Sequence, residues 1–387
     1  MGKCQVVDSS ELSLAKAKVI TLYSSELNEN RKIFIYHPRT DSQYVSQASY
    51  PVLYLMDAEE QLGMVLGQLI YLSESYSILP PLIVVGIGNI DRTKDLTPTH
   101  AITGNNGRSD TSMAATLKTS GNGERFLRFM RNELMPYIQK QYSAGTFKVL
   151  CGHSLGGLMS VYTLLKHPDM FNAYIAISPS LWWDEQYTLK LADNLTDDFK
   201  SKKLLFMSDG SEGGQFHKDL LRLDSVLGRK KFSNLQVKYN YYPTESHPAE
   251  PVKATYDALR HIFQPVYPPQ FDTLSSFIYF KPGMIINYYK DLSLKNGYEI
   301  KPPEAVIDRL AQYLLSLNTE QCRQDAFTLL LLNTTNYPSS WHAHYRLANM
   351  YHYHLKKAGQ AMVSYQQALK LDPGNRTIKE AIERLKN

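Results

Sequence analysis

The sequence is poor in cysteine, lacks any long apolar run and has no block of charge of one sign. Its 3 cysteines, Cys4, Cys151 and Cys322, are too few and too scattered for a disulfide framework or a structural zinc site. No apolar stretch reaches the length of a membrane-spanning helix. The net charge of +5 comes from basic residues interspersed among acids, and the longest basic run is Arg229-Lys230-Lys231, so nucleic-acid binding is not indicated. A mildly cationic surface suits an anionic small molecule. Charged residues make up only 20% against 43% hydrophobic ones, which sets the chain among folded globular proteins. Its 387 residues leave room for a main domain of roughly 260 residues and a smaller appendage. The start, Met1-Gly2-Lys3-Cys4, lacks the apolar segment of a signal peptide, so the cytoplasm is the face-value compartment. A processed or engineered start would instead allow the periplasm or an envelope anchor at Cys4.

What is present is a serine in a sharp turn. Val149-Leu150-Cys151 reads as a buried strand, Gly152-His153-Ser154-Leu155-Gly156 as a tight turn, and Leu158, Val161, Tyr162 and Leu165 recur at helical spacing. The pattern G-x-S-x-G in a strand-turn-helix context describes a nucleophile elbow, where glycines stand at positions that leave no room for a Cβ. Cys151, in the strand, is expected to be a small core residue.

The surrounding pattern predicts an α/β fold: a doubly wound, mostly parallel sheet with an antiparallel N-terminal hairpin, followed by a small all-α domain. Residues 17–24 and 31–37 alternate as a hairpin. Val52 to Met56 and Leu82 to Ile87 are apolar runs suited to parallel strands buried on both faces, with a helical spacing between them. Further strands are expected at Ala173 to Ile177, Lys203 to Met207 and Leu235 to Tyr241, alternating with helices at Glu124 to Tyr142, Gln215 to Leu227 and Val252 to Phe263. The polar stretch from Thr99 to Gly123 is long for a loop and is expected to form a wall or lid over the site. We therefore divide the chain into a catalytic domain (1–264), a Pro/Tyr-rich linker (265–302) and a helical domain (303–387). In the last, Tyr345 to Tyr351 followed by Ala361, Tyr365 and Ala368 to Pro373 is similar to a tetratricopeptide repeat.

A serine hydroxyl needs a base to activate it and an acid to orient that base. In this fold the chain order is Ser, then acid, then His. His247 combines a late loop position with a preceding strand, which makes it the expected base. For the acid, the turn Ser208-Asp209-Gly210-Ser211-Glu212-Gly213-Gly214 offers Asp209, nearer the strand, and Glu212, further along, and position alone does not choose. Two backbone N–H groups should hold the oxyanion: that of Leu155 after the serine, and one from Met56-Asp57-Ala58-Glu59, for which Glu59 is our choice.

Four stretches, Tyr50 to Ala58, Gly88 to Pro98, Gly152 to Gly157 and Ser178 to Trp183, together resemble the esterase family of α/β-hydrolases, which includes siderophore esterases and S-formylglutathione hydrolases. The likeness covers about residues 15 to 265 and is strongest to the siderophore-esterase-like branch. It implies serine-dependent ester hydrolysis without a metal or organic cofactor. It favours Glu212 as the acid, with Asp209 as the alternative, and supports Glu59 as the second oxyanion donor. It also implies that Trp182 and Arg92 shape the acyl or alcohol pocket. From the residues alone, Trp182 could equally serve core packing, and an ion pair of Arg92 with Asp95 is the stronger reading. Asp57-Ala58 departs from the family's Asp-Gly, which would restrict the backbone at the second oxyanion donor. The expected activity is that of a serine carboxylesterase on a small-molecule ester. The alternatives are a siderophore trilactone esterase, or a scaffolding protein whose C-terminal helices bind a peptide partner or a second copy.

Overall fold

The apolar runs of the sequence become the centre of an eight-stranded sheet. The computed structural model describes residues 17–38, 50–75, 78–102, 117–142, 144–196, 199–263, 280–296 and 299–386. Cys4, the middle of the expected lid (103–116), and Pro265, Pro268 and Pro269 of the expected linker lie outside these residues.

The strands are β1 (Ala17–Ser24), β2 (Glu29–Tyr36), β3 (Tyr50–Leu55), β4 (Ile83–Ile87), β5 (Ala144–His153), β6 (Ala173–Ile177), β7 (Lys203–Asp209) and β8 (Leu235–Tyr241). Their spatial order is β1-β2-β4-β3-β5-β6-β7-β8, antiparallel for β1/β2 and β2/β4 and parallel from β4 to β8. β3, β4 and β6 are buried along their whole length, as parallel strands covered on both faces must be.

Helices cover the two faces. Alternate residues of the strands, Val52, Tyr54, Val85, Leu150, Tyr174 and Leu205, point to one face. There they meet α3 (Gly123–Phe129), α4 (Met135–Gln141), α5 (Leu155–Lys166), α6 (Trp183–Asn194) and α7 (Gly214–Lys230). The other alternation, Leu53, Leu55, Val84, Val149, Ile175 and Phe206, meets α1 (Ala58–Leu69) and α8 (Glu250–Ile262). A four-residue helix, α2 (Arg92–Asp95), follows β4, capped by the Asp91 side chain accepting from Lys94 N at 3.0 Å. Cys151 is buried in the second core layer, its thiol pushed up to about 12 by burial, so it acts as a small hydrophobe.

Two stretches differ from the sequence expectation. Helix α6 follows the Trp182-Trp183 turn, where no helix is expected; its first turn runs through positive φ at Asp184, Glu185 and Gln186, which breaks the helical periodicity there. The region expected to be a linker contains α9 (Pro282–Asn296), whose proline stands at the first helical position, where a missing N–H costs nothing. The tail continues with α10 (Glu304–Ser316), α11 (Glu320–Asn336), α12 (Trp341–Asn349), α13 (Ala358–Leu371) and α14 (Arg376–Lys386), and is all-helical. Buried Ala348, Ala361 and Ala368 pack around Tyr365 in its last helices.

The sheet order reverses at β3 and β5, so the chain leaves β3 for α1 and β5 for α5 from adjacent strand ends. Crevices at such switch points are where ligands bind in open α/β sheets. The registers Leu55↔Cys151, His153↔Ile177, Ile177↔Ser208 and Ser208↔Asn240 align the carboxyl ends of β3, β5, β6, β7 and β8 along one rim.

The elbow depends on a close approach: a Cβ at Gly152 would overlap the backbone carbonyl of Gly156, and one at Gly157 would lie 2.7 Å from the Ile177 carbonyl oxygen. Gly63, exposed in the middle of α1, has nothing within 4 Å of the position a Cβ would take. Gly152→Ala is expected to destabilise the protein by about 2 kcal/mol in urea denaturation, whereas Gly63→Ala should stabilise it by about 0.5–1 kcal/mol. Equal midpoints for the two variants would contradict this packing.

Candidate active site

Ser154 sits where β5 turns into α5, with φ 60° and ψ −114°. This backbone is sparsely populated by residues with a side chain, and such outliers persist only where the surroundings enforce them. Here the enforcing contacts are Ser154 N donating to Ile177 O at 2.9 Å, and Ser154 O accepting from Leu158 N at 2.9 Å and Ser180 N at 3.1 Å. The Ser154 hydroxyl lies 3.3 Å from Ser180 Oγ.

His247 follows β8 in the loop before α8, and its Nδ1 is 2.6 Å from Glu212 Oε1. With that nitrogen assigned as the donor, Nε2 is left free to take a proton. The ring packs against Phe216 at 5.9 Å edge-on and against the ring of His153, Ser154's neighbour, at 4.4 Å. Among the described residues, no direct hydrogen bond joins Ser154 Oγ to His247; the resting hydroxyl turns toward Ser180. A χ1 rotation of Ser154 is the motion that would join them, and such bonds commonly tighten only with substrate present. His153 is neutral at physiological pH: burial, then the proximity of His247 and Arg92, pushes it down to about 4.

Glu212 and Asp209 are distinguished by the histidine each one meets. Burial alone would raise the Glu212 carboxyl, but hydrogen bonds from His247 and Ser178 outweigh it and hold the group down to about 2. Asp209, fully buried at the end of β7, accepts from Tyr239 Oη at 2.7 Å and lies 2.6 Å from His217 Nδ1 on α7. Its carboxyl is raised by burial, against the hydrogen bonds of Tyr239 and His217. Asp209 thus forms a separate pair with His217, and Glu212 is the acid beside His247.

The two amides chosen for an oxyanion, Leu155 N and Glu59 N, belong to the first turns of α5 and α1, where N–H groups have no intrahelical acceptor. The two turns abut: a Cβ on Gly156 would lie 3.3 Å from Asp57 Oδ2 and 3.5 Å from Met56 Cβ. Ala58 does not restrict this loop, contrary to the expectation from the missing family glycine. The positive φ of 54° falls on Asp57, and Ala58 is already helical.

Arg92 does not pair with Asp95. Its Nε and Nη2 donate to both carboxylate oxygens of buried Asp57 at 2.8 and 2.9 Å, and Nη2 also reaches His153 O at 3.2 Å. Asn89 Nδ2 adds a bond to Asp57 Oδ1 at 2.7 Å. Arg92 therefore ties the loop after β3 to the elbow strand, a task for a planar, bidentate donor. Asp95 instead pairs with buried Arg31 of β2 at 2.5 Å. Trp182 is partly buried, packed beside Leu155 and Trp183 with Ala101 and Leu117, the described flanks of the expected lid.

Sequence reasoning did not single out Ser178, Ser180, His153 or Glu250, all of which cluster here. The Ser178-Pro179-Ser180 spacing was visible, but only the fold brings it under the elbow. No group of three or more His, Cys, Asp or Glu among the described residues has metal-binding geometry.

The sequence model of the family described as "Putative esterase" matches residues 24–255. The chain belongs to this family. The ferri-bacillibactin esterase BesA of Bacillus subtilis (strain 168) is 34% identical over 183 residues, 44% of this chain and 61% of BesA, so the match spans less than two thirds of that relative. An IroE-like serine hydrolase from Shewanella oneidensis superposes with a TM-score of 0.71 at 29% identity, covering 81% of this chain and 98% of that one. An uncharacterised protein from Capnocytophaga ochracea DSM 7271 has a TM-score of 0.61 at 19% identity over 96% of this chain and 99% of its own, a likeness of fold that extends over the helical tail.

The depressed Glu212 carboxyl makes a stability prediction. Its folded value of about 2 lies below the ordinary 4.5, so its contribution is complete above pH 4.5 and is lost as pH falls toward 2. Denaturation free energies of Glu212→Gln should fall less steeply over that window than those of the wild type. Parallel curves would contradict the assignment of the Glu212–His247 bond.

Proposed function

We propose that this protein is a serine carboxylesterase that works through an acyl-enzyme. The observation that carries the reading is the convergence at one rim of a strained serine, a carboxylate-oriented histidine and two helix N-termini. Ser154 Oγ attacks the ester carbonyl carbon as its proton passes to His247 Nε2. Glu212 keeps the imidazole in the tautomer that exposes Nε2 and stabilises the imidazolium as it forms. The Leu155 and Glu59 amides receive the oxyanion, helped by the positive ends of α5 and α1. The imidazolium then protonates the leaving alkoxide, the alcohol departs, and water activated by His247 releases the acid. Trp182 provides an apolar wall for the substrate, and Arg92 acts by holding the loop that carries the second amide donor.

For the substrate we favour a siderophore lactone. Support comes from the similarity to BesA, a ferri-bacillibactin esterase, and from the net positive charge of the chain, which suits an anionic ferric complex.

Ser154→Ala is expected to reduce turnover of p-nitrophenyl acetate at least about 1000-fold while the circular dichroism spectrum stays unchanged. Retained turnover in the folded variant would overturn the esterase reading. In a second assay, kcat/KM for a ferric catecholate trilactone should exceed that for short-chain esters. The reverse order would remove the siderophore reading and leave the esterase.

A further inference from the structure

Two carboxyl groups converge on the hydroxyl of Ser178. Glu212 Oε1 lies 2.5 Å from Ser178 Oγ, and Glu250 Oε2 is in hydrogen-bond contact with the same oxygen. Ser178 is fully buried just after β6, with φ 41°, and its amide donates to Ser208 O at 2.8 Å. Glu250 opens α8 three residues after His247 and is fully buried; its amide donates to Ser246 O at 2.9 Å.

A serine hydroxyl has one proton and can donate to only one of two carboxylates. If both were ionised, one carboxylate oxygen would face the serine's lone pairs, and two negative charges would share an enclosed site. One of the two carboxyls must therefore hold a proton. Glu212 accepts from His247 Nδ1 as well as from Ser178, which favours its charged form. Glu250 has no histidine beside it, only the hydroxyls of Ser178 and Ser208. Burial raises its carboxyl to about 7, with the Ser178 and Ser208 hydroxyls opposing the rise and the Glu212 and Asp209 carboxylates reinforcing it. Tyr242, the other titratable group facing it, is itself raised and stays neutral.

We propose that Glu250 is a protonated positioning residue: its Oε2–H donates to Ser178 Oγ, the Ser178 hydroxyl donates to Glu212 Oε1, and this relay holds Glu212 against His247. Its catalytic consequence rests on the esterase reading above; the location of the proton does not. Glu250 touches no substrate. It supplies a hydrogen-bond donor beneath the acid without adding a second negative charge to the site.

Two substitutions and one spectrum test the relay. In Glu250→Gln the amide N–H can donate to Ser178 as the acid does, whereas Glu250→Leu cannot donate at all. Glu250→Leu should lower kcat for p-nitrophenyl acetate about tenfold with KM within about twofold, while Glu250→Gln retains roughly half of kcat or more. The infrared spectrum of the wild type at about pH 6 should contain the C=O stretch of a buried carboxylic acid that is missing in Glu250→Gln. Absence of that band, a loss in Glu250→Gln equal to that in Glu250→Leu, or full kcat in Glu250→Leu would each overturn the proposal. Should Glu250→Leu fail to fold, Ser178→Ala breaks the same relay and should lower kcat comparably; unchanged kcat there would overturn it too. The band present in a protein inactive toward esters would support the proton's location and count against the esterase reading instead.

Discussion

The structure turns on the contact between two backbone segments at the elbow, where Gly152 on β5 meets Gly156 on α5 with no space for a side-chain atom. That approach lets the chain reverse within two residues, and the reversal puts Ser154 at positive φ with its hydroxyl above the strand ends. The sheet order supplies the rest. Because it reverses at β3 and β5, the first turns of α1 and α5 lie side by side. The Arg92–Asp57 clamp then fixes the loop after β3 to the strand carrying the serine. A strained serine, the helix ends beside it and the clamp that joins them are consequences of one packing constraint.

Beneath the same rim lie three acids, and their surroundings divide them. Asp209 is enclosed between Tyr239 and His217, Glu212 meets His247, and Glu250 meets serine hydroxyls and no histidine. The difference in partners separates their protonation behaviour: Glu212 is held far below the ordinary range while burial lifts Asp209 and Glu250. A site that must keep one carboxylate charged beside an imidazole is served by neighbours that do not compete with it for charge.

Much of this could be read from the amino-acid sequence. The strands buried on both faces announced themselves as unbroken apolar runs, and the elbow by glycines flanking a serine between a strand and a helical repeat. What escaped was decided by contacts distant in the chain. An ion pair between Arg92 and Asp95 was reasonable at three residues' spacing, but Asp95 is taken by Arg31, 64 residues earlier, and Arg92 turns to Asp57. The choice between Asp209 and Glu212 depends on which histidine each meets, a matter of how α7 and the loop after β8 face the rim. Helix α6 escaped because it begins with a left-handed turn, and α9 because its leading proline looks like the punctuation of a linker. Glu250, ahead of the helix expected from Val252, carried no signal in the sequence, and only its enclosure with Ser178 marks it out.

The central claim is that Ser154 is a nucleophile activated by His247. Covalent labelling with a fluorophosphonate, followed by peptide mass spectrometry, tests it most directly, because the reagent records which hydroxyl is activated without requiring knowledge of the substrate. The account predicts a single phosphonyl adduct on the peptide containing Ser154, strongly slowed in His247→Ala and unaffected in His217→Ala. Labelling at another residue, or labelling of Ser154 that is indifferent to the loss of His247, would contradict it.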